Sequence, residues 1–291
     1  MGKDVVKAKL DIIFKKLFTT DNSVLTAFLE DILDLPRGKI KNLEVVNPST
    51  SLSTIDSKQS QMDLKMRVDD KLVNVEIQLQ NKGNYKDRAL YYWAKLYSDE
   101  LKRGDNYFEL KQAITINILN FNLFDCDEPY SSFALTETKR HEKLTDKCSI
   151  LFFELKKVNK NIEQNNRKML WLQLINAETE EELEMLNEAG VPEIQKAVVI
   201  LHEMSADEEL QEIARLREKQ ERDDNTAKVY YTALGKEEGR AEGRAEGIAK
   251  GRAEGRAEGR AEGKAEIIAN MRLLGIPEDQ IQKLIEMDEH K

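Results

Sequence analysis

Residues 61 to 80, QMDLKMRVDDKLVNVEIQLQ, alternate apolar and polar side chains and read as a two-stranded hairpin. Leu64, Met66 and Val68 answer Val73, Val75, Ile77 and Leu79 on one face. Side chains alternate at period two, so Asp63, Lys65 and Arg67 share the other, polar face with Asn74, Glu76, Gln78 and Gln80. With a two-residue loop Asp63 lies opposite Glu76 or Gln78, and in the alternative register it is diagonal to Glu76, so the two carboxylates are neighbours in every case.

The chain on either side of the hairpin supplies an α/β frame. DIIFKKLFTTDNSVLTAFLEDILDL has apolar residues at helical spacing (Ile13, Leu17; Val24, Phe28, Ile32) and a break at TTDNS, which predicts two short helices. KIKNLEVVN reads as a first strand and NPSTSLSTIDSKQS as a polar loop into the hairpin. From Tyr85 to Lys102 the residues Leu90, Trp93, Tyr97 and Leu101 form one helical stripe, closed by Arg103-Gly104. QAITINILNFNLF and CSILFFELKK are apolar enough to be sheet strands buried on at least one face. Strands interleaved with helices to about residue 158 indicate a mixed α/β domain.

Beyond that point the strand signal stops. Residues 159–232 read as charged amphipathic helices, a helical region of its own. From Gly235 to Gly263 glycine occupies every fourth position, in the repeat GKEEGRAEGRAEGIAKGRAEGRAEGRAEGKAE. On a helix a period of four keeps the glycines on one slowly rotating stripe. Each glycine costs roughly 1 kcal/mol relative to alanine in a helix interior, and the repeat sets like charges at i,i+4. Two readings of the arm, residues 233–291, stand side by side: a helix that self-associates through its bare-backbone stripe, and a flexible low-complexity tether. The tail IIANMRLLGIPEDQIQKLIEMD outlines helix, turn and helix, but Glu278, Asp279, Glu286 and Asp288 crowd the last helix with negative charge, which argues against groove reading.

Composition removes several function classes. No apolar run approaches the roughly 18 residues that span a bilayer, and MGKDVVKAKL has neither an apolar signal region nor the hydroxyl residue at position six that myristoylation prefers. A cytoplasmic protein with no membrane partner is expected. Cys126 and Cys148 show no CxxC spacing, so reduced thiols fit best. His141, His202 and His290 lie far apart without metal-ligand spacing, and no Walker loop or GxGxxG follows a strand, so neither a zinc enzyme nor a small-molecule cofactor is indicated. The formal charge of −9 counts against a nucleic-acid partner. The distribution softens this, because residues 58–103 carry 10 Lys and Arg against 7 Asp and Glu. Such an island is permissive, being more often a solvated face.

Two acids on adjacent strands with side chains on one face suit Mg²⁺, a hard cation that takes one or two carboxylates and keeps several waters. Taken alone the pattern is more often the wet face of an antiparallel pair. The sequence around it is more specific. Asp63, then Glu76-Ile77-Gln78 thirteen residues on, resembles the D…(D/E)xK core of the PD-(D/E)xK nucleases in an ExQ form. DIIFKKLF at 11–18, NPS after the first strand, Arg88, Tyr91-Tyr92 and Tyr97 on the following helix, Gly104 with Tyr107, and the strand ending in FFELKK resemble the recombination-promoting nuclease (Rpn) and putative transposase branch. The likeness covers residues 8 to 158, and glycine-rich four-residue repeats at the C-terminus also occur in that group.

The resemblance implies a restriction-endonuclease-like fold, a mixed sheet flanked by helices, and a metal-dependent DNA endonuclease associated with recombination or mobile elements, with phage defence as a further role. Carried over by position, Asp63 and Glu76 are the ligands of Mg²⁺ or another divalent cation, helped by the Ile77 carbonyl, and Gln78 replaces the catalytic lysine. An amide orients a water or a phosphate but carries no charge and shuttles no proton at neutral pH. Either the site is slow or another cation has moved in. Lys65, two residues from Asp63 on the same face, is the candidate; the competing reading is a surface lysine pairing loosely with Glu76. Asp11 and Glu30 are accessory candidates from the N-terminal helices, Glu30 reading as helix-surface charge before any role in the site. Arg88 is placed as a phosphate contact or as the partner of a carboxylate. The cluster Tyr91, Tyr92, Trp93 and Tyr97 reads as core packing before base stacking. DNA and a second copy of the chain are the expected partners. The alternative is a nuclease fold without activity, kept as a DNA-binding or protein-interaction module assembled through its repeat.

Overall fold

The computed structural model describes residues 5–46, 64–81, 83–101, 104–163 and 165–289; Asp63 lies outside them. In chain order the elements are α1 (Asp11–Thr20), α2 (Asn22–Ile32), β1 (Leu43–Val45), β2 (Leu64–Val68), β3 (Lys71–Gln78), α3 (Tyr85–Ser98), β4 (Gln112–Leu119), β5 (Tyr130–Phe133), β6 (Cys148–Glu154), α4 (Arg167–Asn176), α5 (Glu180–Glu188), α6 (Pro192–Ala206), α7 (Glu208–Leu273) and α8 (Glu278–Glu289). The strands form one six-stranded sheet in the order β1-β2-β3-β4-β6-β5. Its centre, β3-β4-β6, is parallel and the pairs toward both edges are antiparallel, so the sheet is mixed as expected.

The hairpin forms in one of the registers its alternation allows, the one with a two-residue loop. Val68 pairs with Lys71 across a two-residue turn, and Leu64 pairs with Val75. Asp69 takes a positive φ of 51° in that turn, a conformation Asp tolerates better than most residues. Its Oδ1 accepts from the backbone N–H of Lys41 and Asn42, at 3.1 and 2.8 Å, and so holds the entry to β1.

The apolar face of the sheet (Leu64, Met66, Val73, Val75, Ile77, Ile116, Ile118, Phe153) packs into one continuous core with α1, α2, α4, α5 and α6. Phe14, Phe18, Phe28 and Trp171 form its aromatic centre: Phe18 and Phe28 lie 4.5 Å apart, and Trp171 stands 5.7 Å from Phe28. The Trp171 indole donates to Asp31 Oδ2 at 2.7 Å, tying α4 to α2. The chain divides into two compact units, residues 1–220 and 221–291. A change of sequence pattern at 158/159 therefore does not coincide with the packing boundary. Periodicity reports the kind of element, whereas packing reports which apolar faces share a core.

α1 and α2 are separated at Asp21, as the TTDNS break predicts. Asp21 caps α2 by accepting from Ser23 N–H at 2.7 Å and pairs with Lys196 of α6 at 2.5 Å. The Lys196 ammonium and the Ser23 donors hold its carboxyl far below the ordinary Asp value of about 3.9. A depressed acid adds stability that is complete above the unfolded pKa and is lost as pH falls through the folded one. Lys196→Met should therefore move the Asp21 carboxyl titration upward by NMR. The stability advantage of the native chain over this variant should be full at neutral pH and shrink below about pH 4.

Three features depart from the sequence reading. The buried stripe of α3 is Tyr85, Ala89, Tyr92 and Leu96, while Leu90 is 51% exposed; Trp93 and Tyr97 are half-buried and stacked with ring centres 5.4 Å apart. The two stripes have the same helical spacing, and the sheet accepts the one whose small alanine permits close approach. Tyr92 is core but Tyr91 is 62% exposed, so the aromatic cluster is only partly packing. The edge strand β5 has no counterpart in the sequence reading, because Tyr130 and Ser131 are only half-buried, Ser132 and Phe133 are exposed, and no apolar run marks it. In the second unit the glycine repeat is helical, within α7, and its residues are exposed. A turn at Gly275, whose φ is 78°, separates α7 from α8. Among the described residues no helix is long and apolar enough to cross a membrane.

Candidate active site

On β3 the polar face of the hairpin is covered, while Arg67 on β2 is exposed. Asn74 is fully buried and Glu76 is 2% exposed, because α3 packs over this side of the sheet. The parallel ladder sets Asn74 beside Thr115 and Glu76 beside Asn117, so β3 and β4 together hold a buried polar layer. Its flanks are apolar: Leu72, Ala113 and Leu96 on one side, Tyr85, Leu119, Phe121 and Phe152 on the other.

Within the layer Asn74 Nδ2 donates to Glu76 Oε1 at 2.9 Å. Asn117 Nδ2 donates to the Leu151 carbonyl at 2.9 Å, and its Oδ1 accepts from the Tyr85 hydroxyl at 3.0 Å. This bond fastens the first turn of α3 to the centre of the sheet and places Arg88 one turn on. The Arg88 guanidinium lies over the rings of Tyr85 and Tyr92, with its carbon 5.9 and 5.2 Å from their centres. Among the described residues Asn74 Oδ1, Thr115 Oγ1 and Arg88 Nε are buried without a hydrogen-bond partner.

The anticipated residues fall into two groups. Lys65, the cross-strand partner of Asn74, is half-buried and shares a face with Glu76 and the half-buried Gln78. Asp63 is outside the described residues; it precedes Leu64, whose partner Val75 precedes Glu76. Asp11 and Glu30 are engaged in other contacts. Asp11, at the start of α1, pairs with Arg217 of α7 at 3.5 Å. Glu30 is buried in α2, accepts from Ile40 N–H at 3.1 Å and faces Arg37 at 3.7 Å, so it serves the connection into β1 rather than the helix surface.

Sequence reasoning gave no role to Asn74, Thr115, Asn117 or Glu154. The signal was present in TINIL and VNVEI, where polar residues recur at every second position of strands too apolar to be surface strands. Glu154 lies on the same sheet face at the end of β6, fully buried. It accepts from the N–H of Phe124 at 3.2 Å and pairs with Lys157 at 2.7 Å. Burial opposes the Lys157 charge, but the Glu154 carboxylate outweighs it and raises the lysine pKa. This pair fixes the loop after β4.

The layer fits a hard cation. A buried carboxylate favours positive charge beside it, and the oxygens of Asn74 and Thr115 can accept from the waters that Mg²⁺ keeps around one or two carboxylates. Among the described residues no three Asp, Glu, His or Cys side chains cluster as ligands. Mg²⁺ needs fewer.

A model of the family described as PD-(D/E)XK nuclease family transposase matches residues 8–230. The match runs through α4, α5 and α6, which share the core of the sheet, and stops before the glycine repeat. No curated protein and no solved structure matches the chain.

Proposed function

The chain belongs to the PD-(D/E)XK nuclease family transposases, and we propose that it is a divalent-metal-dependent DNA endonuclease acting in recombination, in the movement of mobile elements or against phage DNA. The observation that carries this is the burial of the Glu76 carboxylate in a polar layer of the sheet, on one face with Lys65 and Gln78. Asp63 and Glu76, with the Ile77 carbonyl, are the residues that would hold Mg²⁺, which when bound lowers the pKa of a water and neutralises charge on a phosphate under in-line attack.

The remaining roles belong to the chain itself. Gln78 can hold a water or a phosphate oxygen in place, but it carries no charge. Lys65 supplies the positive charge that the lysine of the usual (D/E)xK pattern would have supplied, from the neighbouring strand. Arg88, steadied between two tyrosine rings, presents guanidinium N–H donors to a DNA phosphate. A second copy of the chain, meeting the glycine-bearing face of α7, is the assembly this reading includes.

Nicking of supercoiled plasmid tests the reading. The native chain should nick in Mg²⁺ and not in a chelator, and Asp63→Ala should lose the activity. No nicking by either protein leaves the second reading, a nuclease fold without activity that binds DNA or protein, which Gln78 favours; equal nicking by both removes Asp63 from the reaction centre. Within an active enzyme, Lys65→Ala should slow cleavage at least as much as Gln78→Ala, on the order of a hundredfold. A Lys65→Ala variant as fast as the native chain removes the lysine from the mechanism.

A further inference from the structure

The buried layer under α3 keeps an amide where the fold by itself would favour an apolar side chain. Asn74 is fully buried, and one step along β3 on the same face Leu72 packs against Ala113 and Leu96. Its Oδ1 has no partner among the described residues, and the neighbouring Thr115 Oγ1 has none either. A buried acceptor without a donor lowers stability, whereas an apolar residue of the same size would lengthen the adjacent apolar patch. Among the described residues the Asn74 side chain makes one bond, to Glu76, from Nδ2 to Oε1 at 2.9 Å.

Resting on the reading of Glu76 as a metal ligand, we propose that Asn74 is the positioning residue of that ligand: its amide locks the Glu76 carboxylate so that it meets the cation in a single orientation. Partners of this kind fix a ligand's rotamer, and their loss typically weakens metal binding 10–100-fold, as stated for metal sites in general. The stability given up at Asn74 is then explained by the centre it serves. The β2 and β4 ladders hold the Asn74 backbone on both sides, and burial restricts its side chain.

The test is titration of the full chain with Mn²⁺ alone, without DNA, by calorimetry, alongside thermal melts in chelator and in Mn²⁺. Asn74→Leu removes the unmet Oδ1 together with the donor of Glu76 Oε1; it is expected to keep a cooperative melt in chelator and to bind Mn²⁺ about tenfold more weakly. Native affinity in this variant overturns the positioning role. Asn74→Asp guards against a misfolded leucine variant: it keeps the size but sets a carboxylate against Glu76. It should melt lower than the native chain in chelator and gain more from Mn²⁺ than the native chain does; an equal gain overturns the role. Glu76→Gln separates the two claims. If the native chain does not bind Mn²⁺, or Glu76→Gln binds it equally well, the metal centre fails and the positioning role with it. Tight native binding that Glu76→Gln abolishes and Asn74→Leu leaves untouched removes the positioning role alone.

Discussion

Glu76→Gln is expected to lower Mg²⁺-dependent DNA cleavage by at least about a hundredfold without lowering the stability of the fold. The amide is isosteric with the carboxylate, and its oxygen can still accept from Asn74 Nδ2, so the 2.9 Å bond within the layer is retained. What disappears is the negative charge, and a neutral amide is less costly to bury than a carboxylate. A melt in chelator should therefore show the variant as stable as the native chain or more so, while plasmid nicking falls to background. This combination separates a chemical role from a structural one, because a residue needed only for packing would change the melt first. Unimpaired cleavage by Glu76→Gln would remove β3 from the reaction centre.

The second large effect is on stability. Trp171→Ala should cost about 3–5 kcal/mol, the usual range for deleting a buried aromatic side chain. That is a large part of the roughly 5–15 kcal/mol by which domains are stable. Trp171 is fully buried, 5.7 Å from Phe28 and 6.0 Å from Phe18. Its removal also deprives Asp31 of the indole donor. Burial already raises the Asp31 pKa, with Trp171 and Arg37 acting against that rise. Because α4, α5 and α6 share a core with α1, α2 and the sheet, denaturant unfolding followed by near-ultraviolet circular dichroism, which reports packed aromatic side chains rather than the exposed helix α7, should remain one transition, shifted to lower denaturant. Two transitions, with the sheet surviving the helices, would mean that residues 159–206 are an independent body.

Particular residues show where reading the chain succeeded and where it could not. Alternation in 64–78 identified the hairpin and both of its faces, because period two is a local property of a strand, while the register among those it allows was fixed by the structure. It could not show that Asn74 and Glu76 are buried, since the element that covers them, α3, is set over the sheet by Tyr85 reaching Asn117, 32 residues away. The same limit applies within α3: Leu90 and Ala89 lie on rival stripes of equal spacing, and only the sheet beneath decides between them. Glu30 reads as surface charge from its neighbours in sequence, yet it is buried because Ile40 N–H and Arg37 close over it. β5 carries no pattern of its own and becomes a strand through pairing with β6.

By itself the sequence determined most of the helices and strands of the first unit, the alternating hairpin, the break before α2 and the motifs that resemble the family, since each follows from a few residues and the backbone geometry they prefer. Only the tertiary structure decided that Glu76 sits in a dry polar layer with Asn74, that Asp11 and Glu30 are engaged in other contacts, and that the helices after residue 158 complete the same core. Burial and unmet hydrogen bonds depend on which distant segment closes over a side chain, and no local period encodes that.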